Sequence, residues 1–250
     1  STDDLIAWCN KLNEMGKDQE RQQHARLMNH LVSPGPDGTE HGGAVTDDII
    51  RQMNHPDLQV AEFNGNGRLI ELQLTTNDYG ALFATGGQPG DAGTTKVKDL
   101  HFIGSVQHAR VNSEQYAGAL FERIGKEGDP SQDRKVTIVD CTNQASVLGD
   151  QSTGGLIGSF VENRNGTGNI TIERCSNFGE ITSANGHAGG LAGSVVKVRD
   201  RVGTTHLQYC TNDGAVKSTG GWFESRFGHG GFGSSTGGLV GYLACGSSGG

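Results

Sequence analysis

The side chains best suited to binding chemistry are gathered in one glycine-rich stretch, "KSTGGWFESRFGHGGFGSS", at residues 217–235. It combines four aromatic rings with an arginine and a histidine among Gly and Ser. Aromatic rings in such a loop can stack on sugars or pack against a partner protein. We therefore predict a ligand or partner contact formed by Trp222, Phe223, Arg226, Phe227, His229 and Phe232. The alternative is that these side chains fold back as a satellite cluster on their own domain.

A second set of residues recurs at a nearly constant interval, which favours stacking over catalysis. Four of the five cysteines follow one another by 34, 35 and 35 residues: Cys141, Cys175, Cys210 and Cys245. An asparagine lies two residues after each of the first three: Asn143, Asn177 and Asn212. In stacked repeats these seven residues would form a structural ladder, with a buried cysteine column beside a row of amides. One or two disulfides between neighbouring units are the alternative, and the absence of a CxxC pair gives zinc binding no support.

A glycine-rich phrase around a leucine recurs in step with the cysteines, as in "TGGLIG", "AGGLAG" and "TGGLVG". Its leucines are spaced by 38, 36, 35 and 48 residues: Leu82, Leu120, Leu156, Leu191 and Leu239. A fixed period of about 20 to 50 residues is typical of a solenoid, in which each unit buries its apolar face against the next. We therefore predict an all-β fold with an N-terminal helical cap, namely a right-handed parallel β-helix of about five coils.

One unit illustrates how glycine and a core coexist. In "ITIERC" the apolar Ile170 and Ile172 alternate with polar residues, which is the period of a half-buried strand. Cys175 breaks that alternation, so we expect a corner just before it. The following Asn-x-Gly is expected to turn the chain with positive φ angles. The Gly-Gly pair before each leucine should allow backbone to pack closely on backbone.

The first 60 residues differ from the repeats at 61–250. The segment "STDDLIAWCNKLNEMG" has capping residues at its start, apolar residues at helical spacing and Gly16 as a stop. After it, "ARLMNHLV" is typical of a strand and "TDDIIRQM" of a short capped helix. Since the first coil of a solenoid exposes an open edge, we interpret residues 1–60 as a capping region with an amphipathic helix.

The segment "FNGNGRLIELQLTTNDYGALFA", residues 63–84, resembles the repeats of bacterial-type surface proteins with GLUG repeats. The later "GGLIG", "GGLAG" and "CSNFGEI" are similar to the body of such a repeat, and the resemblance covers nearly the whole chain. Asn64 departs from the Asp usual in that family, and the last unit is expanded. The resemblance implies a β-solenoid of an exported or adhesin-like surface protein, and it transfers no catalytic residues.

Catalysis and ice binding are the other functions considered. β-Helix enzymes that act on polysaccharides gather charged groups on one face, and a glycosidase needs two carboxylates beside one bond. The outward positions aligned here are Val139, Glu173 and Gln208, which hold no such pair. We therefore predict no enzyme, and a β-helix enzyme active on polysaccharides is the lesser alternative. The histidines lack ligand spacing, so we predict no metal and no cofactor. Ice binding would need an outward row of threonines, which His206 interrupts after Thr137 and Thr171.

The composition of the chain limits the kinds of partner that it can bind. The net charge of −8 over 250 residues argues against nucleic acid, and no apolar run is long enough to enter a membrane. We expect a structural or adhesive protein at the cell surface or outside it, either processed or cut from a longer chain. Its expected partners are proteins, through self-association or other surface components, and alternatively glycans. The sequence ends in mid-repeat, so we expect either that the native protein continues or that another subunit covers this edge, which would make the chain a subunit that polymerises end to end. Asn165 and Asn169 lie in N-glycosylation sequons.

Overall fold

The computed structural model describes residues 1–33, 42–89, 93–108, 115–125, 134–162, 169–197, 204–220 and 234–245. Its helices are α1 Thr2–Glu14, α2 Lys17–Glu20 and α3 Asp47–Gln52. Ser1 caps α1, because its Oγ accepts a hydrogen bond from the Asp4 amide at 3.3 Å while the Asp4 carboxylate accepts from Ser1. None of the helices in these ranges is long and apolar enough to span a membrane.

The protein is mostly β, and nearly all strand pairs are parallel. The first sheet has 14 strands, namely β1 His24–Arg26, β2 Val45–Thr46, β4 Glu62–Leu74, β6 Gln88–Pro89, β7 Thr95–His108, β10 Arg134–Val139, β11 Thr142–Asn143, β12 Ser146–Gly149, β15 Asn169–Glu173, β16 Ser176–Asn177, β17 Ile181–Ser183, β20 Thr205–Gln208, β21 Thr211–Asn212 and β22 Val216–Ser218. The second has β8 Tyr116–Ala117, β13 Ser152–Gly154, β18 His187–Gly189 and β23 Ser235–Gly237. The third has β9 Phe121–Ile124, β14 Ile157–Glu162, β19 Ala192–Lys197 and β24 Val240–Cys245, and a small pair joins β3 Asp57–Leu58 to β5 Thr85–Gly86.

Successive units of the chain place equivalent residues side by side. Ile138 of β10 lies beside Ile172 of β15, which lies beside Leu207 of β20. The long strand β7 runs alongside β10, β11 and β12 in turn, so one continuous strand becomes three short ones in the next unit. An antiparallel contact joins β6 to β10. The alternating apolar residues predicted from the sequence therefore point into one shared core, with Val136, Ile138, Ile170 and Ile172 all buried.

The corner between β10 and β11, and its equivalents, lies just before the cysteine. Asp140, Arg174 and Tyr209 occupy it with φ angles of 55°, 50° and 54°. The positive φ predicted at Asn143, Asn177 and Asn212 is wrong, since these residues are not among those with positive φ. The chain turns one position before each cysteine instead. The Arg174 guanidinium holds the Asp140 carboxylate of the preceding unit across this corner, with N–O distances of 2.6 and 2.9 Å.

Residues 1–60 both cover the first unit and extend its sheet. Leu5, Cys9 and Leu12 of α1 are buried, and the Trp8 ring stacks on Phe63 with centroids 5.3 Å apart. The segment expected to form a strand at "ARLMNHLV" forms the short β1, which pairs with β4, and an isolated bridge between Leu31 and Ile70. Strand β2 also pairs with β4. This region therefore adds strands of its own to the stack besides its helices.

The Gly-Gly pairs hold the units at backbone contact distance. A Cβ built on Gly155 would lie 2.2 Å from the carbonyl oxygen of Gly190. A Cβ built on Gly190 would lie 2.1 Å from the carbonyl oxygen of Gly238. The same residues are hydrogen bonded from amide to carbonyl along the stack, at 3.1 and 3.2 Å. Glycine is required at these positions because no side chain fits between the two backbones.

Candidate functional site

The predicted contact loop at residues 217–235 falls largely outside the described residues. Trp222, Phe223, Arg226, Phe227, His229 and Phe232 all lie outside them, as does the sequon residue Asn165. The other sequon residue, Asn169, opens β15, and its Oδ1 accepts a hydrogen bond from the Thr204 amide at 2.7 Å. The described chain offers two candidate sites instead, an exposed final unit and a polar cavity near the first one.

The asparagine ladder runs through the interior along the stack. Asn143 Nδ2 donates to Asn177 Oδ1 at 2.8 Å, and Asn177 Nδ2 donates to Asn212 Oδ1 at 2.7 Å. Each Nδ2 also donates to the backbone carbonyl two residues further on, at 2.9, 2.9 and 3.0 Å. Asn143 and Asn177 are fully buried. The ladder thus satisfies amide groups that would otherwise be buried without partners.

Replacing Asn177 by alanine is expected to lower the free energy of unfolding by about 2 kcal/mol, because it leaves the Asn143 donor and the Gly179 carbonyl unsatisfied in the interior. Asn212→Ala is the matched control at the half-buried end of the ladder, where water can replace the lost donor. Urea unfolding followed by circular dichroism measures both. Equal losses for the two variants would contradict a contribution that depends on burial.

Three cysteines follow the corner in equivalent positions, whereas the fourth does not. The Cys175 thiol donates to the Ile138 carbonyl of the preceding unit at 3.6 Å, and the Cys210 thiol donates to Ile172 at 3.4 Å. Cys9, Cys141, Cys175 and Cys210 are free thiols, and burial raises the pKa of Cys141 well above its usual value. The prediction that Cys245 joins this column is wrong, because Cys245 lies beside Lys197 in the third sheet. The last unit is longer than the others, so a step of 35 residues from Cys210 does not complete it.

The final described unit, residues 204–220 and 234–245, exposes one edge of the stack. Leu243 is 62% exposed, whereas Val195, its neighbour in the preceding unit, is 1% exposed. Its inward-facing Leu207, Val216 and Leu239 are only partly buried. A Cβ built on Gly238 would meet no described atom within 4 Å, unlike the equivalent Gly155 and Gly190. We call this surface the exposed edge; within the described residues no further unit covers it.

A polar cavity of about 210 Å³ lies near the other end of the stack. It is lined by Asp57, Ala84, Thr85, His108, Tyr116, Glu122 and Arg123. These residues come from β3, β5 and the residue before it, the end of β7, and the first strands of the second and third sheets. The Arg123 guanidinium carbon lies 5.8 Å from the centre of the Tyr116 ring. Stacking therefore brings together residues that are up to 66 positions apart in the chain, from Asp57 to Arg123.

Glu122 is the most strongly perturbed acid at this cavity. Its Oε1 accepts a hydrogen bond from the Gly80 amide at 2.5 Å and lies 3.6 Å from His55 Nε2. Burial raises the pKa of Glu122 to about 7 and lowers the pKa of His55 to about 4. Between these two values both groups are predominantly neutral, so the contact is not a salt bridge at mildly acidic pH. His108, whose Nδ1 donates to the Tyr116 carbonyl at 3.1 Å, further opposes protonation of His55.

The backbone around this pair is unusual. Asn54 and His55, which follow α3, have φ angles of 60° and 39°, and His55 also precedes Pro56. Two consecutive non-glycine residues in the left-handed region cost free energy and are often found at functional positions. Gly80 fits tightly on the other side, since a Cβ there would lie 2.3 Å from both His108 Nδ1 and the Tyr116 carbonyl oxygen. The His55–Glu122 pair thus lies between a left-handed turn after α3 and the closely packed Gly80.

The sequence analysis missed this site, although a signal for it is present. The strand registers place Glu122 at the position that Gly158, Gly193 and Gly241 occupy in the following units. A carboxylate in a slot otherwise held by glycine is a departure from the repeat that could have been noticed. Among the described residues, no group of three or more His, Cys, Asp or Glu side chains could hold a metal ion.

Comparisons with known proteins support the fold alone. No protein-family model and no curated protein matches the chain. A solved structure from Bacteroides ovatus, described as a "putative immunoglobulin A1 protease", is similar to it with a TM-score of 0.55 and 21% sequence identity. The similarity covers 75% of this chain and 47% of that one, so the chain spans about half the length of this relative. At this identity the match indicates a shared architecture of parallel strands.

Proposed function

We propose that the chain is a right-handed parallel β-helix of about five coils that serves as a non-catalytic structural or adhesive element outside the cell. The observation that carries this proposal is the exposed edge, where Leu243 is exposed and no described atom lies close to Gly238. Open strand edges pair readily with further strands. The edge therefore suits a second copy of the chain added end to end, which would build a filament.

Three further observations support an extended structural role. The stack is held by contacts that repeat along its length, namely the asparagine ladder, the glycine approaches and the Arg174–Asp140 pair. The resemblance to GLUG-repeat surface proteins points to the same class. The solved relative is longer than this chain, which fits a solenoid region within a larger exported protein. In that setting the exposed edge would contact the next coil of the same polypeptide.

Electron microscopy of the intact chain, with light scattering alongside, tests end-to-end assembly. We expect wild-type protein to form filaments as its concentration rises, whereas Gly238→Ala should remain as short rods with an unchanged melting temperature. The added methyl would stand on the surface that the N-terminal region of an incoming copy must contact, and no described atom of the same chain lies within 4 Å of it. Wild-type protein that stays monomeric at the highest soluble concentration would contradict self-assembly, and so would filaments of Gly238→Ala.

A further inference from the structure

The cavity at Glu122 carries chemistry that a purely structural role does not use. The repeating units need no charged residue at this position, because Gly158 and Gly193 occupy it in the next two units. Here the chain instead places ionisable side chains from separate units around one opening. Burying a carboxyl group costs free energy, which the Gly80 hydrogen bond offsets only in part. A site built at such a cost suggests a ligand.

The size of the cavity limits that ligand to one small ring. A volume of about 210 Å³ corresponds to roughly seven water molecules at about 30 Å³ each. Drug-sized ligands occupy pockets of about 300 to 1,000 Å³, so a peptide segment or a nucleotide would not enter. A single six-membered ring with its substituents fits this space.

The charges of the lining residues favour a neutral molecule over an ion. The Asp57 and Glu122 carboxyl groups face the same space as the Arg123 guanidinium. The Asp57 carboxylate would attract a cation that the Arg123 guanidinium repels, and an anion would experience the reverse, whereas Glu122 is predominantly neutral below about pH 7. Hydroxyl groups suit both kinds of partner, because each can donate to a carboxylate and accept from a guanidinium. Ala84 and the Tyr116 ring add apolar surface for the C–H face of such a ring.

We propose that this cavity binds a single neutral sugar residue, such as the terminal unit of a glycan, through hydrogen bonds to Asp57, Glu122 and Arg123. Thr85 supplies a further hydroxyl that can donate or accept. Because Glu122 titrates near neutrality, it can present either a donor or an acceptor to the ligand. None of the lining residues belongs to the final described unit, so binding does not require the exposed edge to be free or occupied.

Saturation-transfer NMR and calorimetry of the full 250-residue chain with a panel of neutral hexoses provide the test. We expect at least one hexose to bind with a Kd of about 1 mM, typical of a small site with few contacts. Asp57→Asn and Thr85→Val should weaken that binding by about tenfold or more while leaving the melting temperature nearly unchanged. Glu180→Gln, at an exposed pair with Lys217 on another unit, is the control and should bind like wild type.

The sugar-binding measurement is repeated on Gly238→Ala. The result for the cavity can then be judged independently of end-to-end assembly. Sugar binding by this variant equal to wild type supports the cavity site whether or not filaments form. Absence of binding by any hexose up to about 20 mM overturns the proposal. It is also overturned if free glycine or alanine binds instead, since a zwitterion would show that the acids and Arg123 select charge. Hexose binding that Asp57→Asn and Thr85→Val leave intact would place the sugar elsewhere and likewise contradict it.

Discussion

Replacing Gly190 by alanine is expected to lower the free energy of unfolding by more than about 3 kcal/mol. The new methyl carbon would lie 2.1 Å from the carbonyl oxygen of Gly238 and 2.5 and 2.6 Å from the Asn212 side chain. Neither neighbour can yield, because the carbonyl belongs to the stacked backbone and Asn212 accepts from Asn177. The two units must separate, which breaks the amide-to-carbonyl hydrogen bond between Gly190 and Gly238. Chemical denaturation followed by circular dichroism measures the loss.

Gly238→Ala is the matched control for this prediction. It makes the same chemical change at the equivalent position of the next unit, where no described atom lies within 4 Å of the new methyl. Its free energy of unfolding should stay within about 0.5 kcal/mol of wild type, as for most unconstrained surface changes. If both variants lost a similar large part of the free energy of unfolding, the backbone preference of glycine would explain the effect. The close approach of the two backbones would then not be its cause.

The pH dependence of stability should divide into two opposing parts at the His55–Glu122 pair. Glu122 binds its proton more tightly in the folded state, with a pKa raised from 4.5 to about 7. The folded state therefore loses stability from this group as pH rises through that interval, by about 3 kcal/mol in total. His55 has its pKa lowered from 6.5 to about 4, so its contribution is lost as pH falls through that interval, by a similar amount. Between pH 4.5 and 6.5 the two slopes nearly cancel.

Single substitutions should reveal each slope. Relative to wild type, Glu122→Gln is expected to gain about 3 kcal/mol of stability as pH rises from 4.5 to 7, because it no longer has a proton to lose. His55→Asn, which tolerates the positive φ, should gain a similar amount as pH falls from 6.5 to 4. Urea unfolding at half-unit pH steps measures both differences, with Thr85→Val as a cavity variant that does not titrate. Difference curves without slope, or slopes of the same sign, would contradict the assignment of neutral forms to the pair.

Much of the parallel stack could be predicted because its signals are periodic. Ile138, Ile172 and Leu207 align in the strands as their spacing indicated, and Asn143, Asn177 and Asn212 form a hydrogen-bonded row. A repeat with nearly constant length places equivalent residues at the same height, so a position in one unit predicts the position in the next. The helices α1 and α3 could also be predicted from the sequence, because capping residues and the spacing of apolar residues act locally.

Structural features that depart from the repeat could not be predicted from its period. Cys245 was misplaced because the spacing of 35 residues was applied to a unit whose leucines are 48 residues apart. The corner residues Arg174 and Tyr209 adopt positive φ, which their residue types do not indicate, although Asp140 belongs to a type enriched there. The cavity depends on contacts between His55, Gly80 and Glu122, which belong to different parts of the stack and share no motif. Only the strand register reveals that Glu122 replaces a glycine.

The asparagine ladder also gives the molecule a direction. Asn143 donates to Asn177 and Asn177 donates to Asn212, so each hydrogen bond between units runs from the earlier unit to the later one. The two ends of the ladder are therefore unlike: Asn212 ends it in the last described unit, and Phe102 of β7 precedes Asn143 at the other end. A dimer with two-fold symmetry would set two Asn212 ends against each other, which reverses the direction of the ladder. Head-to-tail addition of copies would continue that direction, and an assembly built in this way would be polar and would either grow open-ended or close into a ring.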